Sequence, residues 1–183
     1  MNAFEDVVKL FLEENNYWVR QSFKVTTITK EDKRNIGKHS LPTPEIDMIA
    51  LNLDRNELLL VEAKSFLDSH GIYLEALQNN TDRGAIEIFT NRVYRNIITT
   101  RTKEALISKN LINSSTQIKY ALAAGHIHAY KEWDEEKRIK NYFAQQGWIL
   151  FSPSEIKNTI KRLADKGYVD NLIVVTTKIV NRE

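Results

Sequence analysis

The chain has 183 residues, enough for one sizeable hydrophobic core, and residues 1–183 read as a single domain with no linker or repeat. Its net charge of +2 is too small to mark a general polyanion binder, so any basic surface must come from local clustering. The absence of cysteine excludes disulfides and thiolate metal sites; no stretch is apolar enough to span a membrane and the first residues lack a leader pattern, which predicts a cytoplasmic protein.

Phe4, Val7, Val8, Phe11 and Leu12 recur at helical spacing and predict an amphipathic helix over about 3–15. A strand over about 19–28 follows. Residues 29–43 are polar and carry Lys30, Lys33, Arg34, Lys38 and His39, which predicts an exposed basic loop. Two apolar runs, 45–53 and 57–63, then flank the polar turn Asp54-Arg55-Asn56 and predict a β-hairpin. A helical region over 73–109, in two or three pieces, has Ile86, Phe89, Val93 and Ile97 as its buried stripe. A strand near 118–128, a helix over 132–146 and a short strand at 148–151 come next. Ser152-Pro153-Ser154-Glu155 combines a Ser cap, a first-turn Pro and a Glu three residues on, a strong helix start. That helix is predicted to end near Gly167, and the apolar run 171–180 to form a last buried strand.

The chemistry concentrates in the hairpin. Strand alternation puts Glu62 and Lys64 on one face, with Leu58 and Leu60 behind them. The hairpin brings Asp47 beside that pair, giving two carboxylates and one amine, the groups needed to hold a hard cation and activate a water. Alternating charges at a strand end are usually a solvated edge. Here the run Leu58–Val61 is apolar on both faces, which suits a central strand, where charges need a reason such as a metal.

Asp47 followed by Glu62-Ala63-Lys64 at the end of the next strand resembles the PD-(D/E)xK nuclease superfamily of restriction endonucleases, Holliday-junction resolvases and Mrr-like enzymes. The family's proline directly before the Asp is missing; Pro44 lies three residues upstream. The resemblance implies an α/β fold with a restriction-endonuclease-like αβββαβ core and a mixed central sheet flanked by helices. It implies Mg2+, with Mn2+ as a substitute, held by Asp47, Glu62 and the Ala63 carbonyl. Lys64 would then position or deprotonate the attacking water, or stabilise charge on the phosphorane. The implied substrate is DNA, chiefly double-stranded, cut by a homodimer in a restriction or defence setting.

Glu5 is a further catalytic candidate, since relatives carry a first-helix glutamate near the metal; it is equally placed to be the capping-box partner of Asn2. Gln78 is more simply a surface residue. Arg83, Arg92, Arg95, Arg101 and Lys103 share one helical region, with Arg92 and Arg95 one turn apart, and offer a phosphate-binding face, although a solvated face neutralised by Glu87 and Glu104 is the simpler reading of any single arginine. Lys33 and Arg34 are the alternative clamp. Tyr17, Trp18 and Trp133 are candidates for base stacking, although aromatics at element ends are more often core. His126-Ile127-His128 is a competing metal pair, with Asp134 as a weak third ligand. Two other functions therefore stand beside the nuclease: a DNA-binding subunit of the same fold acting in a larger complex, and a His-dependent metalloenzyme.

Overall fold

Five strands form one mixed sheet whose spatial order follows the chain: β1 (Trp18–Lys24), β2 (Glu45–Asn52), β3 (Glu57–Lys64), β4 (Gln117–Ala124) and β5 (Ile149–Phe151). This computed structural model describes residues 2–37, 40, 42–79, 86–167 and 169–182. Lys38, His39 and Arg83, named above among the basic residues, lie outside them. β1, β2 and β3 run antiparallel; β3, β4 and β5 run parallel. The predicted hairpin is β2–β3, in register from Asn52↔Glu57 to Met48↔Val61, and Asn56 takes the left-handed backbone its turn requires (φ 46).

Parallel neighbours need a crossover, and helices supply both. α3 (Leu74–Asn79), α4 (Glu87–Thr90) and α5 (Arg92–Ile107) lie between β3 and β4, and α6 (Glu135–Gln146) between β4 and β5. Their Leu77, Phe89, Ile98, Leu106, Ile139 and Phe143 pack with Leu58, Leu60 and Leu122 on one side of the sheet. α1 (Ala3–Glu13) covers the other side through Val8, Phe11 and Leu12, together with Ile156 of α7 (Pro153–Asp165). β3 is thus covered on both faces. Leu58, Leu59, Leu60 and Val61 are each at most 1 % exposed, at a gain of roughly 1.5–3 kcal/mol per side chain. No helix among the described residues is long and apolar enough to cross a membrane.

Three elements differ from expectation. The segment read as a basic loop contains a helix, α2 (Lys30–Asn35), closed by a Thr29–Asp32 capping box. Asp32 also accepts from the Arg101 guanidinium at 2.8 and 3.1 Å, which ties α2 to α5. The expected last strand is a helix, α8 (Leu172–Val180). The Asn171 side chain accepts from the Ile173 and Val174 amides, and Val174 packs with Ile160 and Leu163. A run of β-branched residues makes a strand only where a sheet edge accepts it, and here α7 offers a helical surface instead. The buried positions of α5 are Ile98, Thr102 and Leu106; Val93 is exposed, because the chain breaks at Asn91 and that residue caps a new helix. Elsewhere the expected caps hold: Ser152 and Glu155 form a capping box on α7, with Pro153 at its first position.

Candidate active site at the end of β3

The antiparallel register that pairs Met48 with Val61 sets Asp47 across from Glu62 at the open end of the hairpin. The regular ladder stops there, and Asp47 Oδ2 accepts the Ala63 backbone N–H at 2.8 Å instead. Lys64 Nζ stands between the two carboxylates, 2.6 Å from Glu62 Oε1 and 3.9 Å from Asp47 Oδ2. The trio keeps about a fifth of its side-chain surface exposed, so it is neither sealed in the core nor a solvated edge.

β3 and β4 end together, since Lys64 pairs with Ala124 and Gly125 N–H donates to the Lys64 carbonyl at 2.8 Å. Gly125 has no room for a side chain: a Cβ would lie 2.4 Å from the Ser65 carbonyl and 3.0 Å from the Phe4 ring. That close approach seats the start of α1 against the strand ends. Glu5, on this first turn, is buried; Asn2 Nδ2 donates to its Oε1 at 2.7 Å while its own N–H donates to Asn2 Oδ1 at 3.0 Å. Its negative charge also acts on Glu62 and Lys64. Asn2 caps α1 by accepting from the Glu5 amide, but the Glu5 carboxylate bonds the Asn2 side chain and not its backbone N–H, so the reciprocal half of a capping box is not formed, and the carboxylate's charge is felt at the cluster.

Burial pushes the Glu62 carboxyl up to about 7, and the negative charges of Asp47 and Glu5 add to the rise against the opposing pull of Lys64. For Lys64, burial alone would favour the neutral amine. The charges of Glu62, Asp47 and Glu5 outweigh it and hold the ammonium above its ordinary range.

Side chains that the sequence did not single out complete the surroundings. A polar cavity of about 190 Å³ opens on Glu62 and is lined by Glu45 and by Glu87 and Tyr94 from the α4–α5 region. Burial, then the charges of Glu87, Glu62 and Asp47, push the Tyr94 hydroxyl up to about 12. Only the tertiary fold brings these groups to the strand; Glu87 and Tyr94 sit on separate helices, either side of the break at Asn91, with no motif to mark them. No protein family, curated protein or solved structure matched the chain. The geometry of the cluster is the evidence.

The basic candidates separate. Arg95 is structural: its guanidinium donates to the carbonyls of Ile88 and Phe89 at 3.0 and 3.1 Å and lies 4.9 Å over the Trp148 ring. Arg101 is taken by Asp32 and Glu104, and Lys103 donates to the Ser114 carbonyl at 2.8 Å. Arg92 at the start of α5 and Arg34 on α2 are exposed, and Lys33 on α2 is half-buried. Gln78 is exposed on α3.

The aromatic candidates separate in the same way. Tyr17 is a core residue hydrogen-bonded to Glu57 at 2.8 Å, and Trp18 is exposed beside it. Trp133 donates its indole N–H to Glu135 at 2.7 Å and carries the Arg138 guanidinium over its ring. His126 Nδ1 lies 3.2 and 3.1 Å from the Phe66 and Ser69 carbonyls, and His128 Nδ1 lies 2.9 Å from the His70 carbonyl. Both imidazoles thus tie the 66–70 loop to the chain beyond β4. Among the described residues no three His, Cys, Asp or Glu side chains converge to hold a metal unaided.

Proposed function

We propose that this chain is a divalent-metal-dependent endonuclease that hydrolyses phosphodiester bonds in DNA, built on a restriction-endonuclease-like αβββαβ core. The observation that carries it is the meeting of Asp47, Glu62 and Lys64 at the end of one buried strand, with Lys64 within 3.9 Å of both carboxylates. The order α1–β1–α2–β2–β3–(α3–α5)–β4 and the mixed sheet are consistent with that core, with the short α2 inserted between its first two strands.

The residues present suit a hard cation. Mg2+ takes oxygen ligands, retains several waters and needs only one or two carboxylates from the protein. Asp47 and Glu62 would hold it, with the Ala63 carbonyl as a third donor. Glu62 is half-buried and repelled by two neighbouring carboxylates, a charge imbalance that a dication relieves. When bound, Mg2+ or Mn2+ supplies charge neutralisation at the scissile phosphate and acidifies a water.

The chain's own residues do the rest. The Ala63 N–H fixes the Asp47 carboxylate, so its orientation is set before substrate arrives. Lys64 is held as an ammonium, which supports stabilisation of the negative charge on the phosphorane over service as a general base. Glu5 lends further negative charge and anchors α1 beside the strand ends. Of the candidates named from the sequence, Arg92 and Arg34 are exposed and available to DNA phosphates, and Lys33 neighbours Arg34 on α2. A restriction or defence role fits a domain with this much structure beyond its core. The second function, a DNA-binding subunit of the same fold, gains nothing from a complete Asp–Glu–Lys set.

The test is cleavage of supercoiled plasmid and long duplex DNA with Mg2+, Mn2+ or EDTA by wild type, Asp47→Ala and Lys64→Ala. Metal-dependent cutting that falls by about a hundredfold or more in each variant, with unchanged circular dichroism, is expected. Cutting that persists in both variants would contradict the assignment of the site.

A further inference from the structure

α8 sits on the outside of α7 with an apolar face turned to solvent. Leu172 is 82 % exposed and Ile179 67 %, and only Val174 of this helix is buried. Leu172, Val175 and Ile179 fall at i, i+3 and i+7, so they form one narrow stripe over two turns, the spacing with which one helix meets another in a two-helix seam. The helix is firmly held. Asn171 caps its first turn, and Lys178 Nζ donates to the carbonyls of Lys166 and Gly167 at 2.8 and 2.6 Å. Ile173 and Val174 pack against Ile160 and Leu163 of α7. The stripe is therefore presented on an anchored helix. Beside it α7 and α8 form a groove of about 530 Å³ lined by Ala164, Val175 and Ile179, with Asp165, Lys178 and Arg182 also in its wall.

The charges flanking the stripe say what covers it. Asp170 precedes the helix and Arg182 follows it; both are exposed, and among the described residues neither makes an ion pair or a side-chain hydrogen bond. Two copies of α8 laid antiparallel about a twofold axis near Thr176 set each Asp170 beside the other copy's Arg182. The same operation lays Leu172 of each copy along the other's Ile179 and Val180. A parallel pairing would juxtapose like charges at both ends. A twofold contact requires one patch to be complementary to itself, and this patch is complementary in shape period and in charge.

We propose that α8 is a self-association surface on which a second copy of the chain docks antiparallel through Leu172, Val175 and Ile179, with Asp170 and Arg182 fixing the direction. So few apolar side chains make a small interface, and the dimer forms reversibly as protein concentration rises. The Asp47–Glu62–Lys64 cluster takes no part in it.

Sedimentation velocity over a wide concentration range tests this, on wild type, Ile179→Glu, Asp170→Arg, Arg182→Asp and the Asp170→Arg/Arg182→Asp double variant. Wild type is expected to pass from monomer to dimer as concentration rises, and Ile179→Glu to stay monomeric. Each single charge reversal is expected to weaken association about tenfold, and the double reversal to restore it. Should Ile179→Glu misfold, the exposed charge reversals carry the test. Wild type that is monomeric throughout, a dimer that survives these changes, or a double reversal no better than the singles would overturn the proposal.

Discussion

Glu57 and Glu62 stand near opposite ends of β3 and on opposite faces of it, and they have opposite electrostatics. Glu57 is buried, yet its carboxylate accepts from the Tyr17 hydroxyl at 2.8 Å and faces Lys119 Nζ at 2.5 Å. Arg55 adds its charge from beside Tyr17. Burial pulls the Glu57 carboxyl upward, but the hydrogen bonds from Lys119 and Tyr17 and the charges of Lys119 and Arg55 hold it below its ordinary range. Glu62 is also shielded from water, with one lysine shared among three carboxylates, and its carboxyl rises to about 7. One end of the strand is a completed polar network that stabilises the fold. The other is left short of positive charge, and that shortage is what a cation would meet.

The largest effect on folding is expected at the completed end. Glu57→Ala strands the Tyr17 hydroxyl and the Lys119 ammonium, and urea unfolding is expected to show a loss of roughly 2–3 kcal/mol, discounted because Lys119 is partly exposed. The proposed cleavage, per folded molecule, should stay at the wild-type rate; a parallel loss would erase the contrast drawn between the two ends.

The next effect belongs to pH. The folded pKa of Glu62, about 7, lies above the 4.5 of a free carboxyl, so between those values the folded protein keeps a proton that the unfolded chain has released. The stability this proton contributes is complete below pH 4.5 and is lost as pH rises through 7. In metal-free buffer, wild type is expected to weaken across that window and Glu62→Gln to weaken less, read from urea midpoints at several pH values. Equal slopes for the two proteins would show that Glu62 ionises as a solvated carboxyl does. Smallest is Tyr17→Phe, which removes one hydrogen bond from Glu57 and is expected to cost about 1 kcal/mol in the same assay. A neutral result there would assign the network's strength to Lys119 alone.

Much of this contrast was legible in the sequence, and for local reasons. Alternation along Leu58–Lys64 and the short turn through Asn56 fix which side chains share a face and bring Asp47 to Glu62. The caps at Ser152 and Asn2 are written in residues three apart. What escaped was decided by distant partners. Ile173-Val174-Val175 carries a strand propensity, but α7 offers it a helical surface and Asn171 caps the first turn. Thr29-x-x-Asp32 is a helix start hidden in a polar run, stabilised by Arg101 from sixty-nine residues away. Arg95 looks like a free cation in sequence and becomes a packing residue once Trp148 lies beneath it. Tyr94 and Glu87 reach the site only because the crossover from β3 to β4 folds back over that face.

The most direct test of the unfinished end is Mn2+ binding followed by electron paramagnetic resonance, on wild type and Glu62→Gln, at pH 8 and pH 6. The account predicts saturable binding by wild type at pH 8. Binding should weaken about tenfold per pH unit as Glu62 protonates below 7, and it should be lost in Glu62→Gln. Wild type that binds no Mn2+ at pH 8, or binding that Glu62→Gln leaves unchanged, would contradict a cation site at the end of β3.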